Sequence, residues 1–274
     1  MGTSPIFFVN PDDRVAGNNN SFSFKINLPP NNNYDRVALL QCKIPKTYYL
    51  IRPRLNFFLL REITTRTRIN IPVGNYTISA FRATLETLLN QASITSGLNW
   101  TYAVSYPNEQ TEVNTGKFTF TVAGNAGNQP RLIIRDNSIA KPIGFNTNTS
   151  NRFINDTLTS TNVINLQAEH TVYIRSDVCR NGDNSDILQE IDTSVKFFEE
   201  IVYQTTDVEA NAKEITTNKH NVYKFHLTDA RGREVDLNGN NWSFSLLFYK
   251  HNDTDFINRK VIQLDQMEKL HTNK

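Results

Sequence analysis

The chain has 274 residues, 38% of them hydrophobic, and a formal net charge of +2, which is too small to point to a polyanionic partner. This length suits one large β domain or two small ones. No segment approaches the roughly 18 apolar residues of a membrane span, and the first residues lack the apolar core of a secretory signal peptide. We therefore expect no membrane span, and the sequence contains no specific nucleic-acid motif.

The N-terminal residues 1–20 predict an arm, because Phe7 and Phe8 lie outside any alternating pattern. Alternation of apolar and polar residues begins at Ser21 with SFSFKINLPP. This alternation predicts a strand that two prolines bring to an end.

The stretch DRVALLQCKIPKTYYLI, residues 35–51, predicts a strand that ends in a proline corner. Proline fixes φ and has no backbone N–H, so it occurs at strand ends, bulges and sheet edges. Tyr48 and Tyr49 follow the corner, and the segments NFFLLREI (56–63) and TRINI (67–71) predict two further strands. This succession is typical of an all-β protein.

The pattern changes over residues 72–145. Thr77 or Ser79 is a candidate helix cap, and the apolar residues after it recur at helical spacing. WTYAVSY and KFTFTV then predict a hairpin, and QPRLIIRD predicts one more strand. We therefore predict a helix-plus-hairpin insertion between β regions, which is either a decoration of the main domain or a second small domain.

The last third of the chain returns to strands, beginning with TVYIRSDV at 171–178. SDILQEI and FFEEIVYQ fit either a strand or a helix. NVYKFHLTDARGREVDLNGNNWSFSLLFYK predicts a β-meander, since Asn-Gly between alternating runs is a strong hairpin signal. The residues predicted to form the core alternate along this run and along the first strand: Phe22, Phe24, Ile26, Tyr223, Phe225, Trp242, Phe244, Leu246 and Phe248.

Residues 251–274 predict a helical tail beyond the last strand. Ile257, Val261 and Leu264 belong to a set of apolar residues at three- and four-residue spacing. Such a stripe needs a partner surface, either in its own subunit or on a neighbouring protein.

Catalysis needs a set of converging side chains, and the sequence predicts none. The five histidines have no partner at metal-ligand spacing, and no G-x-S-x-G motif is present. Glu199 and Glu200 are adjacent, so in a strand they would point to opposite faces. Cys42 and Cys179 are predicted to be buried free thiols rather than a disulfide or a metal site. We expect no enzymatic activity, no cofactor and no metal.

Charge is distributed in two blocks of opposite sign. The basic block, from Arg36 to Arg68, has eight basic residues and one acid, and the acidic block, from Asp183 to Glu214, has nine acids and two bases. Two solvated faces, or pairing within one subunit, would explain this split. A head-to-tail contact between copies would also explain it, and such contacts close into rings when the rotation permits. All three explanations stay open at this point.

The candidate intersubunit contacts are charged residues of the two blocks and apolar residues near the two chain ends. They are Arg52, Arg54, Arg66, Arg68, Glu199, Glu200, Phe7, Phe8, Ile257, Val261 and Leu264. A contact through the charged members would weaken at high salt, because salt screens exposed pairs.

Eight short patterns occur in a fixed order across residues 7–249: FFVNPDDRVAGNNNSFSFKINLP, DRVALLQCKIPKTYYLI, INIPVGNYTISAFRATLETLLN, GKFTFTV, KPIGF, TVYIRSDVC, ILQEI and KFHLTDARGREVDLNGNNWSFSLLFY. In this order they resemble the minor capsid (penton-type) proteins of the double-jelly-roll DNA virus lineage. That lineage includes virophages and polinton-like viruses. The resemblance lies in the order of the patterns rather than in residue-level identity.

The resemblance implies an antiparallel jelly-roll capsid domain over residues 21–250 and no catalytic residues. It implies a homopentamer that plugs each capsid vertex and contacts the major capsid protein, with other minor capsid proteins as further candidate partners. It also implies a virion location, after synthesis and assembly inside the host cell. A peripheral spike or cement protein of the capsid and a non-viral β-sandwich binding module are the alternatives.

Overall fold

The computed structural model describes residues 4–28, 34–107, 113–135, 139–167, 170–180, 186–216 and 221–251. Strands β1 to β18 are, in chain order, Ile6–Val9, Ala16–Gly17, Ser21–Lys25, Arg36–Pro45, Phe57–Glu62, Thr65–Asn70, Thr101–Ser105, Thr119–Ala123, Arg131–Ile134, Thr149–Arg152, Thr157–Thr159, Thr171–Ser176, Cys179–Arg180, Ile187–Asp192, Glu200–Gln204, Lys213–Ile215, Val222–Thr228 and Ser243–Tyr249. Helices α1 to α3 are Ile78–Thr95, Ala140–Ile143 and Val208–Asn211. The predicted tail residues Ile257, Val261 and Leu264 lie outside the described residues.

The chain forms two compact units. Met1–Tyr48 together with Glu169–Lys274 make the first, here called the sandwich unit, and Tyr49–Ala168 make the second, the inserted unit. The insertion predicted from sequence covers only residues 72–145. The inserted unit begins earlier because β5 and β6 belong to the same sheet as β9, which lies within the predicted insertion.

The sandwich unit is a jelly roll built from eight main strands: β1, β3, β4, β12, β14, β15, β17 and β18. One antiparallel sheet joins β1, β18, β4 and β15, and the other joins β14, β12, β17 and β3. Numbered along the chain, these orders are 1-8-3-6 and 5-4-7-2, so each sheet takes strands from both halves of the chain. This is the jelly-roll connection, and it confirms the predicted all-β fold.

Aromatic side chains from both sheets form the core of the sandwich unit. The ring centroids of Phe225 on β17 and Phe244 on β18 are 5.0 Å apart, and Phe244 stacks on Trp242 at 4.8 Å. Phe22 on β3 contacts both Phe225 and Trp242. Of the predicted core residues only Phe24 is half-buried rather than buried. Alternation with a period of two therefore located this core.

The N-terminal residues differ from the predicted arm, because β1 is a strand of the sandwich. β1 pairs antiparallel with β18, and Phe7 lies opposite Leu246. The ring of Phe7 meets the ring of Phe248 edge-on, with centroids 5.5 Å apart. Four consecutive apolar residues, IFFV, hide the alternation in the sequence. In the structure Phe7 is half-buried while Phe8 is exposed.

The proline corner is present where the sequence predicts it. β4 ends at Pro45, which lies opposite Glu200 of β15. After the corner the Thr47 hydroxyl donates to the Leu237 carbonyl at 2.7 Å, and Tyr48 is buried. Tyr48 is thus buried at the end of the sandwich unit, while Tyr49, the first residue of the inserted unit, is half-buried.

The inserted unit contains a four-stranded sheet in the order β10-β9-β5-β6, a three-stranded sheet in the order β11-β8-β7, and helix α1. The Thr77 hydroxyl accepts from the Ala80 N–H at 3.2 Å and so caps α1, one of the two caps predicted. The buried Glu62 carboxylate accepts from the Tyr102 hydroxyl at 2.9 Å and from the Ser96 hydroxyl at 2.7 Å. These bonds satisfy a charge that would be costly to bury unpaired.

We expect Phe244→Ala to lower the free energy of unfolding by ~3–5 kcal/mol, because it leaves a cavity at the contact between the two sheets. Urea unfolding followed by circular dichroism measures the loss. Phe198→Ala is the matched control, since that side chain is 77% exposed. Equal stability of the two variants would contradict the core assignment.

Candidate subunit-contact surfaces

The structure divides the basic block between the two units. Arg36, Lys43 and Lys46 belong to the sandwich unit, and the five arginines of the block belong to the inserted unit. These five are Arg52, Arg54, Arg61, Arg66 and Arg68. The eight basic residues of the block are therefore divided between two compact units.

Acids of the acidic block pair with the basic residues of the sandwich unit. The Glu214 carboxylate lies 3.7 Å from the Arg36 guanidinium, and the Glu200 carboxylate lies 3.4 Å from the Lys43 ammonium. Glu214 lies opposite Arg36 in the register of β16 with β4. Some acids of the acidic block are thus neutralised by basic residues of the same subunit. Exposed pairs of this kind are each worth only ~0–1 kcal/mol.

The side chain of Lys46, which directly follows Pro45, is held by two backbone carbonyls. Its ammonium donates to the Thr193 and Val195 carbonyls at 2.5 and 2.6 Å. Burial lowers the pKa of Lys46, and the charges of Asp192 and Glu199 oppose that effect. This lysine therefore fastens the segment that leads to β15.

Glu199 and Glu200 lie at the start of β15, and both are exposed. A Glu199 carboxylate oxygen accepts the Lys196 N–H at 3.0 Å, while Glu200 pairs with Lys43. Both carboxylates thus already have partners in their own subunit.

The outer face of the first sandwich sheet carries exposed apolar side chains. Phe8 is 74% exposed and Val202 is 62% exposed, and Ile6 is also exposed. Ile6, Phe8, Leu40 and Val208 line a groove of about 370 Å³ on this sheet. We call Ile6, Phe8, Leu40, Val202 and Val208 the apolar outer face. Val202 lies outside the groove, opposite Lys43 in the register of β15 with β4. Exposed apolar side chains gathered on one face commonly mark an interaction site.

Register explains why these residues share a face. Phe8 lies opposite Ser245, which lies opposite Gln41, and Gln41 lies opposite Gln204. The row crosses all four main strands of the sheet. Among the sequence-predicted contacts Phe8 belongs to this surface, whereas Phe7 packs against Phe248 and points toward the core.

Sequence reasoning missed the other members of the apolar outer face. Ile6 is hidden in the IFFV run, and Val202 follows Ile201, which is buried. Two adjacent apolar residues in a strand point to opposite faces, so one of each pair had to be exposed. That signal required knowing that both segments are strands.

In the inserted unit, Arg66 and Arg68 are exposed and share one face of β6. The Arg68 guanidinium lies over the Phe57 ring, 3.7 Å from its centroid. Arg52 and Arg54 lie outside any strand, before β5, and Arg54 has a φ of 68°. The structure therefore groups Arg66 with Arg68 on a sheet and leaves Arg52 and Arg54 in the loop before β5.

Both cysteines are free and buried, as predicted. Burial raises the pKa of the Cys42 thiol from 9.0 to about 12, and it raises the pKa of the Cys179 thiol to about 12 as well. Over the described ranges no cluster of three His, Cys, Asp or Glu side chains is arranged to hold a metal ion. No helix in those ranges is long and apolar enough to cross a membrane.

No family model matches the chain, and no curated protein matches it. Among solved structures, the crystal structure of selenomethionine-labelled mavirus penton protein is similar with a TM-score of 0.49 and 13% sequence identity. The alignment covers 90% of this chain and 99% of that chain. The strand order in the two sheets of the sandwich unit by itself identifies the jelly roll.

We expect the free energy of unfolding to fall as pH rises from about 9 toward 12. The folded protein keeps the two thiol protons over this range, whereas the unfolded chain, with a thiol pKa of 9.0, loses them. Cys42→Ala should make the decline shallower by ~1.4 kcal/mol per pH unit, the value of one proton. Urea unfolding at several pH values measures the slope.

Val37→Ala is the control for the cysteine variant. Val37 is buried in the same sheet and has no ionisable group. It should lower stability at every pH without changing the slope. A Cys42→Ala slope equal to that of the unsubstituted chain would contradict the assignment of the thiol proton.

Proposed function

We propose that this chain is a structural virion protein, a penton-type minor capsid protein that occupies capsid vertices as a homopentamer and contacts the major capsid protein. The observation that carries the proposal is where the penton-like patterns lie in the fold. Those patterns contribute to seven of the eight main strands of the jelly roll, all except β15. Five of the eight patterns thus follow the order of the strands in one sandwich, and the other three lie in the inserted unit.

The proposed contact between copies is the apolar outer face. Phe8 and Val202 are large apolar side chains that the folded monomer leaves in water, and burying such area is the main source of affinity between subunits. Ser245 and Gln41 lie in the row beside Phe8, whereas Val202 lies directly opposite Lys43, which pairs with Glu200. A neighbouring copy that covers Val202 therefore also borders the Lys43–Glu200 ion pair, whose two charges already neutralise each other.

The predicted head-to-tail charge contact stays a prediction. It places Arg52, Arg54, Arg66 and Arg68 against Glu199 and Glu200 of the next copy. Glu200 already pairs with Lys43, and Glu199 already accepts a backbone N–H, so both have less to offer a neighbour. We therefore assign most of the affinity to the apolar outer face.

Phe8→Ser combined with Val202→Ser should move the protein from five times the 31.4 kDa chain mass toward a single chain, because the buried apolar area is lost. Light scattering after size exclusion measures the mass at matched concentrations. Ile154→Ser with Val163→Ser is the control, since these two exposed apolar residues lie in the inserted unit. Pentamers that survive the first variant would contradict this contact.

The pentamer should also persist at ~1 M salt, where the Debye length falls to about 3 Å and exposed ion pairs are screened. Apolar contacts do not depend on that screening. Dissociation between low and high salt would favour the head-to-tail charge contact instead. Light scattering at a series of salt concentrations makes this comparison.

The location in the particle tests the function itself. Electron cryomicroscopy of purified virions should show five copies of the jelly roll at each fivefold vertex, next to the major capsid protein. Copies on other sites of the capsid surface would support a peripheral spike or cement protein. Particles without the chain would leave the β-sandwich binding module as the better explanation.

A further inference from the structure

A row of arginines crosses the four-stranded sheet of the inserted unit from edge to edge. Arg152 on β10 lies directly opposite Arg131 on β9, and Arg131 lies opposite Arg61 on β5. Arg61 in turn lies opposite Arg66 on β6. Directly opposite residues in antiparallel strands point to the same face, with Cβ atoms about 5 Å apart.

Arg68 adds a fifth guanidinium to this face, because it follows Arg66 by two residues on β6. Its Nε donates to the Asn70 side-chain oxygen at 2.8 Å while its guanidinium lies over Phe57. These contacts hold the group against the sheet. We call Arg61, Arg66, Arg68, Arg131 and Arg152 the arginine face.

The arginine face has no acidic counterpart among the described residues. Like charges placed directly opposite one another destabilise a sheet. None of the ion pairs in the described part of the chain includes one of these five arginines. Glu62, which adjoins Arg61, is buried on the other side of the sheet. Asp156, which follows Arg152 in sequence, accepts hydrogen bonds from the Asn125 and Gln129 side chains. A surface arrangement that lowers the stability of a protein is commonly kept because its function needs it.

The chain's own acidic block is a poor partner for this face. Three of its acids already pair with basic residues of the same unit: Glu214 with Arg36, Glu200 with Lys43 and Asp186 with Arg175. Neutralising the arginines with these three acids would break those pairs, so a second copy would have to use the other six acids of the block. An anionic polymer without basic groups of its own faces no such competition.

The geometry of the face suits phosphate. All five cations are arginines, whose planar guanidinium binds phosphate oxygens through two parallel hydrogen bonds. The row spans three strand spacings of ~4.8 Å, about 14 Å in all. Duplex nucleic acid presents one charge per ~1.7 Å of axis, so about eight phosphates lie over that length.

We propose that the arginine face binds the phosphate backbone of double-helical nucleic acid without reading its base sequence. The arginines lie across the surface of a sheet, and specific readout needs an element that enters a groove. The small net charge of +2 conceals this site, because charges elsewhere in the chain cancel it. The proposal goes beyond the capsid role and does not depend on it.

Fluorescence anisotropy with a labelled duplex of mixed sequence, about 20 base pairs long, tests the proposal on the full chain. Arg66→Gln with Arg152→Gln should weaken binding at least tenfold at about 50 mM salt. It should also reduce the slope of log affinity against log salt by about 1.8, the value of two lost phosphate contacts at ~0.9 each. A second duplex of unrelated sequence should give the same result.

Lys141→Gln with Arg231→Gln is the matched control, because it removes the same charge from exposed positions outside the arginine face. It should leave affinity and slope nearly unchanged. Removing like-charge repulsion should keep the melting temperature of the arginine variant equal to or above that of the parent. Added duplex should raise the melting temperature of the parent but not of the variant.

Three outcomes would overturn the proposal. The first is an unchanged affinity and salt slope in the arginine variant, or an equal loss in the control. The second is unchanged duplex binding with a lower oligomer mass, which would assign the face to an acidic neighbouring copy. The third is tighter binding of heparin or polyglutamate than of duplex, which would assign it to a sulfated glycan or an acidic protein.

Discussion

The contact between Phe225 and Phe244 makes one core out of two sheets. Their centroids are 5.0 Å apart, and Trp242 and Phe22 close the cluster on either side. Each sheet buries only one face, so apolar and polar residues must alternate along the strands of both sheets. The outward-facing residues do not contribute to the core. The positions that do not build the core are therefore where contacts with other molecules are carried.

The apolar outer face and the arginine face both consist of such outward-facing residues. On β1 the inward residues Phe7 and Val9 pack while Ile6 and Phe8 stay outside. On β5 the inward Leu60 is buried while Arg61 joins the arginine face. The two faces are built in the same way, from the outward residues of antiparallel strands, but they differ in charge. The apolar outer face is therefore suited to burial against a neighbouring protein, and the arginine face is suited to an anion.

Sequence patterns located the fold better than they located the surfaces. Alternation found β3, β17 and β18, and helical spacing with a capping threonine found α1, because these are local properties. β15 stayed ambiguous since FFEEIVYQ mixes adjacent apolar and acidic residues without a clear period. The arginine row was not predictable at all. Arg61, Arg66, Arg131 and Arg152 come from four strands, and only their register brings them together.

The inserted unit joins the sandwich at a connection between two strands, after β4 and before β12. Loop closure costs rise only slowly with length, so a jelly roll tolerates a large insertion at such a connection. Each unit also has a buried core of its own, with Phe81 and Phe120 in the inserted unit and Phe225 and Phe244 in the sandwich. Changes to the arginine face therefore leave the sandwich core intact. The proposed assembly surface on one unit and the proposed anion site on the other are separable by mutation for that physical reason.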